Sequence, residues 1–185
     1  MDGHGNNEAK NMVDHKRFLK SYFTKLIYNY EEEKWRMELM NKSKLRTYRL
    51  FKSKLRFEKY LLTPGYHKGR TLMTQLRTGT NKLEIERGRY LGLPEAQRLC
   101  RQVGCFNQIE DERHFIIYCP RYNDLRNVLF YNLRLLSNHK WQLESFSHVE
   151  CFYFLISGSG DCFELLMYAE FQRFLINAFK FRVFV

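Results

Sequence analysis

The sequence predicts a mainly α protein, a single small helical domain with a zinc knuckle embedded in it. Three observations lead there. Apolar residues recur at three- and four-residue spacing through most of the chain, which is the spacing of one helical face. The length of 185 residues, with 44% hydrophobic and 16% aromatic content, suits one domain with an ordinary core. Finally, Cys100, Cys105, His114 and Cys119 put four soft ligands within twenty residues, the set that a tetrahedral Zn²⁺ ion takes.

Residues 1–13 read as a disordered tail. Asp14 is placed to cap a helix over residues 15–30, where Phe18, Leu19, Tyr22, Phe23, Leu26 and Tyr30 keep the helical spacing. Glu31, Glu32 and Glu33 form an acidic run, a solvated face or a joint. The stretch 34–70 reads as two or three short pieces, with Ser43 a cap before Leu45, Tyr48, Phe51 and Leu55, until Thr63-Pro64-Gly65 breaks it. Another short helix fits residues 70–77, stopped by Gly79. Residues 81–90 alternate Leu83 and Ile85 with charged neighbours, a pattern that serves strand or helix equally.

Beyond the cysteines, Tyr122, Leu125, Val128, Leu129, Leu133 and Leu136 define an amphipathic helix, and residues 146–156 a buried one. Ser157-Gly158-Ser159-Gly160 ends the latter. With neither the lysine nor the spacing of a phosphate-binding loop, it is a plain turn. Asp161 and Glu164 give a capping-box-like start to a last helix carrying Phe163, Met167, Phe171, Phe174 and Ala178. Cys151 and Cys162 read as core thiols, although His148, three residues before Cys151, leaves open a second ligand pair. The domain thus runs over 14–185, with a basic segment at 34–70, the knuckle at 98–122 and C-terminal helices over 121–185.

The net charge of +11 is unevenly placed: residues 34–70 carry twelve Lys/Arg against two Asp/Glu. Such a cluster favours a polyanion, most simply RNA or single-stranded DNA bound without sequence preference, through counterion release. Lys42, Lys44, Arg46, Arg49, Lys52, Lys54 and Arg56 are the expected phosphate contacts. Trp35, Tyr48, Phe51, Phe57, Tyr60 and Tyr66 either stack on unpaired bases or form the buried side of the same helices. The rival reading is a protein-interaction or scaffold domain whose basic face meets an acidic partner. No apolar run reaches the ~18 residues of a membrane span, and the polar N-terminus lacks a signal core. Five cysteines suit a reducing compartment, so an intracellular protein of nucleus or cytoplasm is expected.

Within the knuckle, spacing constrains geometry. Residues five apart on an ideal helix lie about 140° around it, so His114 and Cys119 converge only if the helix ends. Pro120 pushes the residue before it out of the right-handed helical region, turning Cys119 back toward His114. The alternative is three buried core thiols and a surface histidine. Four protein ligands close the shell, so the expected zinc is structural. Catalysis is not expected: Glu110, Asp111 and Glu112 are adjacent, so their side chains diverge on any regular element, and no separated carboxylates stand ready for paired metals.

Residues Gln97-Arg98-Leu99-Cys100, Ile109-Glu110-Asp111-Glu112-Arg113-His114-Phe115 and Tyr118-Cys119-Pro120-Arg121-Tyr122 resemble the C-terminal zinc-binding region of reverse transcriptases from non-LTR, LINE-like retrotransposons. Ser43-Lys44-Leu45-Arg46-Thr47-Tyr48 and Leu83-Glu84-Ile85-Glu86-Arg87-Gly88-Arg89-Tyr90 look like the segments that precede the cysteines there. The resemblance covers residues 35–182 and is strongest over 76–129. It implies that Cys100, Cys105, His114 and Cys119 are the metal ligands, in a non-catalytic module that holds template RNA or target DNA. The family usually separates its first two cysteines by two residues; here four intervene.

Overall fold

The computed structural model describes residues 5–65 and 67–182, with side chains from residue 12 onward. The mainly α class is borne out: the described residues form helices and short helical turns, with a single isolated β-bridge, Leu99 to Ile109. No helix among them is long and apolar enough to cross a membrane. Tyr66 lies outside the described residues. The chain forms two compact units, one of Met1–Lys42 with Ser53–Leu55, the other of Ser43–Lys52 with Arg56–Val185.

The first unit is built on one uninterrupted 37-residue helix, α1 (Gly5–Asn41). The tail expected over residues 1–13 is therefore helical from Gly5, and the acidic run continues the helix instead of breaking it. The reason is compositional. No glycine or proline interrupts the sequence between Gly5 and Pro64, and Glu32 and Glu33 stand four and three residues before Arg36, spacings that stabilise helix. Residues 53–55 lie along one side of α1, where the Tyr28 hydroxyl donates to the Leu55 carbonyl at 2.8 Å and Glu32 accepts the Leu55 amide at 3.3 Å.

The second unit holds α2 (Arg46–Phe51), α3 (His67–Thr78), α4 (Glu84–Tyr90), α5 (Asn123–Leu136), α6 (His148–Ser157) and α7 (Glu164–Phe181). Residues 81–90, ambiguous in the sequence, are helical from Glu84. The last helix, α7, is central and packs against both α3 and α5. Its Met167, Phe171, Phe174, Leu175 and Ala178 are buried with Met73 and Leu76 of α3 and Leu129 and Leu133 of α5. Burying a side chain of this size contributes about 1.5–3 kcal/mol. A Cβ added at Gly69 on α3 would sit 2.6 Å from the Gln172 Cβ, so the smallest residue sets how closely α3 approaches α7.

Local caps differ from expectation. Ser43 opens a 3-10 turn, and α2 is preceded by Leu45 with no side-chain cap. The capping box falls at α6, where Ser147 and Glu150 exchange bonds. Glu164 pairs with Lys59 at 2.6 Å instead of capping α7, while Asp161 accepts the Phe163 amide at 2.9 Å. Cys151 is buried, as expected of a core thiol, but Cys162 is exposed.

Aromatics of the basic segment surround a buried cation. Arg77 lies 4.3 Å from the Phe51 ring centroid and 4.7 Å from that of Tyr60. It donates to Glu58 and to the Ile156 carbonyl, both at 2.5 Å. Tyr60 is buried, whereas Phe57 is exposed. Tyr60 and Phe51 therefore belong to the interior side of their segment, the second of the two roles open to them.

Candidate metal centre

The four predicted ligands converge. One donor atom from each of Cys100, Cys105, His114 and Cys119 lies within 4.8 Å of every other. The Cys119 sulfur is 3.9 Å from those of Cys100 and Cys105, and Cys105 Sγ is 3.0 Å from His114 Nε2. Sulfur ligands at about 2.3 Å from a tetrahedral ion would stand about 3.8 Å apart, so the spacing fits one ion. All five cysteines are unpaired thiols. This cluster can hold a metal ion, and the chemistry of its donors suits a soft or borderline one.

Two local devices build it. The first is a loop pinned at its base: the Leu99–Ile109 bridge is flanked by bonds from the Cys100 amide to the Gln108 carbonyl (2.7 Å) and from the Glu110 amide to the Arg98 carbonyl (3.0 Å). Gly104, at φ 84°, turns the chain so that the Cys105 amide reaches the Gln102 carbonyl at 3.0 Å. Four intervening residues are thereby accommodated between the first two cysteines.

The second device is a π-helical turn, His114–Tyr118. The Cys119 amide donates to the His114 carbonyl at 2.7 Å, a five-residue closure found mostly as single turns and often at functional sites. Cys119 itself is extended, at φ −61° and ψ 118°, before Pro120. Proline thus sets the predicted break, and the π turn supplies the wider loop that lets residues five apart face one ion.

The acidic trio beside the histidine diverges as the sequence predicts. Glu110 is fully buried and receives both guanidinium nitrogens of Arg182, Nη2 at 2.6 Å. It also accepts the Glu84 amide at 2.8 Å and lies 3.6 Å from Cys100 Sγ. Asp111 accepts the His114 amide at 2.6 Å, starting the turn that carries the ligand. Glu112 binds Arg46, Thr47 and Asn81 at 2.8–3.0 Å. Arg126 on α5 donates to the carbonyls of Ile116 (2.8 Å) and Cys119 (3.0 Å), holding the π turn from behind.

The three thiols compete for charge. Hydrogen bonding from Cys119 holds the Cys100 thiol far below the usual cysteine range, down to about 3. Burial and the neighbouring Cys100 push Cys105 up to about 11, and the bond to Cys100, with burial, pushes Cys119 upward. Three thiolates this close repel one another, and a divalent cation among them relieves that repulsion.

The second ligand pair does not assemble: Cys151 is buried in the core, and His148 packs edge-on to Tyr118 with ring centroids 4.9 Å apart. Among the described residues, the Cys100 cluster is the one metal-competent group.

The seven cations expected on phosphate divide between the two units. Lys42 and Lys54 belong to the first unit and the others to the second. Arg46 is 2.8 Å from Glu112 and 3.4 Å from Glu86, and Lys52 is 2.5 Å from Glu58. Both are thus held by carboxylates of this chain. Lys44 lies 5.4 Å from the Tyr90 ring centroid, and Lys42, Lys44, Lys54 and Arg56 are exposed. Arg126 and Arg182 were not among the sequence candidates. Arg126 did carry a signal, standing three and seven residues before the apolar Leu129 and Leu133, on the buried side of its helix.

Compared with known proteins, the chain matches no family model, no curated protein and no solved structure.

Proposed function

We propose that the protein is a zinc-stabilised, non-catalytic nucleic-acid-binding module, of the kind that the resemblance to non-LTR reverse transcriptases implies. The observation that carries the zinc reading is the closed set of three thiols and one imidazole at tetrahedral spacing. Sulfur-rich sets select Zn²⁺ over hard cations, and a full protein shell leaves no position for substrate. The ion's work here is to tie the 98–105 loop to the π turn. The residues around it orient the ligands: Asp111 through the His114 amide, Arg126 through the Cys119 carbonyl. The nucleic-acid reading rests on the excess of Lys/Arg and on the exposed Lys42, Lys44, Lys54 and Arg56.

An interaction domain for an acidic protein is favoured by one observation. Arg46 and Lys52, in the same basic segment, already hold carboxylates. Two measurements test the pair of claims. Protein purified without chelator should contain about one zinc per chain, and zinc at background level would defeat the metal assignment. Binding to labelled single-stranded RNA of random sequence should be tight at low salt and fall as salt rises. Failure of that RNA to bind would leave the acidic-protein reading.

A further inference from the structure

We propose that α1 is a self-association element, its free face pairing in antiparallel fashion with α1 of a second copy of this chain. On a wheel of 100° per residue, Leu19, Tyr22, Phe23, Leu26, Tyr30 and Met37 fall on one side of the helix. Tyr28 and Glu32, which bond to residues 53–55, fall on the other. All six are exposed, from 37% for Leu19 to 65% for Met37. Glu33 shares this side between Tyr30 and Met37, so the apolar stripe is unbroken from Leu19 to Tyr30; a stripe of this kind is larger than isolated surface apolar residues and marks an interaction surface.

Area and charge both point to a second copy. Aromatic side chains present about 150–250 Å² each, so half-exposed rings and aliphatic side chains along this stripe sum to roughly 600–800 Å². Stable interfaces bury about 800 Å² per partner. Residues 14–38 of α1 carry six Lys/Arg and five Asp/Glu, so two copies meet without the repulsion that the rest of this basic chain would impose. The charge is also ordered. Lys16 and Lys20 precede the stripe's centre, and Glu31 and Glu33 follow it, while Arg17 and Glu32 turn to the opposite side. A parallel pair sets like turns level with like. An antiparallel pair centred near Thr24 sets the basic turn level with the acidic one, giving attraction at both ends. A C₂ pair of this type is closed and leaves no further stripe to propagate.

Sedimentation of the full chain over a concentration series tests this. The parent should sediment as a dimer at tens of micromolar. Phe23→Glu with Leu26→Glu should be monomeric while keeping its helical circular dichroism and zinc content. Reversing the acids alone, Glu31→Lys with Glu33→Lys, should weaken the dimer at least tenfold, and adding Lys16→Glu with Lys20→Glu should restore it. A monomeric parent overturns the proposal, as does a dimer that survives the Phe23/Leu26 change. An acid-reversed variant that dimerises like the parent overturns the antiparallel arrangement. Zinc content and RNA affinity are read separately, so failure here is distinct from failure of the function proposed above.

Discussion

Arg126 donates from Nη2 to the carbonyl oxygen of Cys119, 3.0 Å away, and each of its three hydrogen bonds ends on a neutral oxygen. A guanidinium this deeply buried is costly unless an anion answers it. A divalent ion with three thiolates and a neutral imidazole carries one net negative charge, and Cys119 is one of those thiolates. A metal bound there would therefore supply the anion that the buried cation lacks.

From that relationship, Arg126→Met should weaken zinc binding by roughly 10–100-fold, the range for residues that orient ligands from behind. It also takes the guanidinium from the Ile116 carbonyl, at about 1–3 kcal/mol for a buried group left unsatisfied, while the Cys119 carbonyl keeps the Tyr122 amide at 3.2 Å. Competition against a chromophoric chelator reads the affinity, and denaturant unfolding of metal-free protein reads the rest. Unchanged zinc affinity in a folded variant would refute the charge match.

His114→Ala should loosen the ligand region more than the helical core. The 98–105 loop is held by one bridge and short backbone bonds, so a bound ion would close most of its structure. α3 and α7 depend on their own packed faces. Amide exchange should speed up over residues 98–122 and stay slow at Leu76 and Phe171. Uniform protection across the chain would show that the cluster does not rely on metal.

Pro120→Ala probes the break in the π turn. Proline holds Cys119 extended and narrows the unfolded ensemble, an effect of about 0.4–1 kcal/mol. Without it, the helix from Glu112 can run on and carry Cys119 around its axis. Zinc affinity should fall several-fold with little change in the far-ultraviolet spectrum. Equal affinity in parent and variant would place the control of this turn elsewhere, with Arg126 the first candidate.

Much of this was legible in the sequence, and the limits have physical causes. The metal-competent cluster is local, twenty residues with a proline at its end, so spacing alone brought its four residues together. α5 and α7 announce themselves through apolar periodicity. What sequence could not show were partnerships across long separations. Glu110 meets Arg182 72 residues away, and Arg46 meets Glu112 across 66; nothing local marks either pair. The acidic run was ambiguous because the same glutamates that solvate a joint also stabilise a helix. Cys162 looked like a core thiol from its apolar neighbours, but it falls in the turn before α7 and faces solvent.

That difference between thiols gives a pH prediction. Burial pushes the Cys151 thiol up to about 12, so the folded chain keeps its proton after the unfolded chain, near 9, has lost it. Stability from this group is complete below about pH 9 and declines as pH rises toward 12. Parent protein should therefore lose stability more steeply over that window than Cys151→Ala, in zinc-loaded samples compared by urea midpoint. At pH 8, iodoacetamide should label Cys162 and spare Cys151. Rapid labelling of Cys151 in folded protein would contradict its burial.

The basic segment separates into two kinds of cation, and substitution should separate them too. Arg46→Gln removes the charge opposite the buried Glu112. Arg46 is partly exposed, so the loss is smaller than for a fully buried pair, about 1–3 kcal/mol. Because its guanidinium is already engaged, RNA affinity of the folded variant should change little. Lys42, Lys44, Lys54 and Arg56 are exposed, and replacing all four with glutamine should leave the unfolding midpoint nearly unchanged. If they neutralise phosphates, affinity should drop alike for unrelated sequences, and the log–log salt slope should lessen by roughly 0.7 for each phosphate no longer neutralised on a single strand. The opposite pattern would be decisive: an Arg46 variant that folds normally but loses RNA, beside a quadruple variant that binds as the parent does. Nucleic acid would then be competing with Glu112 for Arg46, and the exposed lysines would be a solvated face.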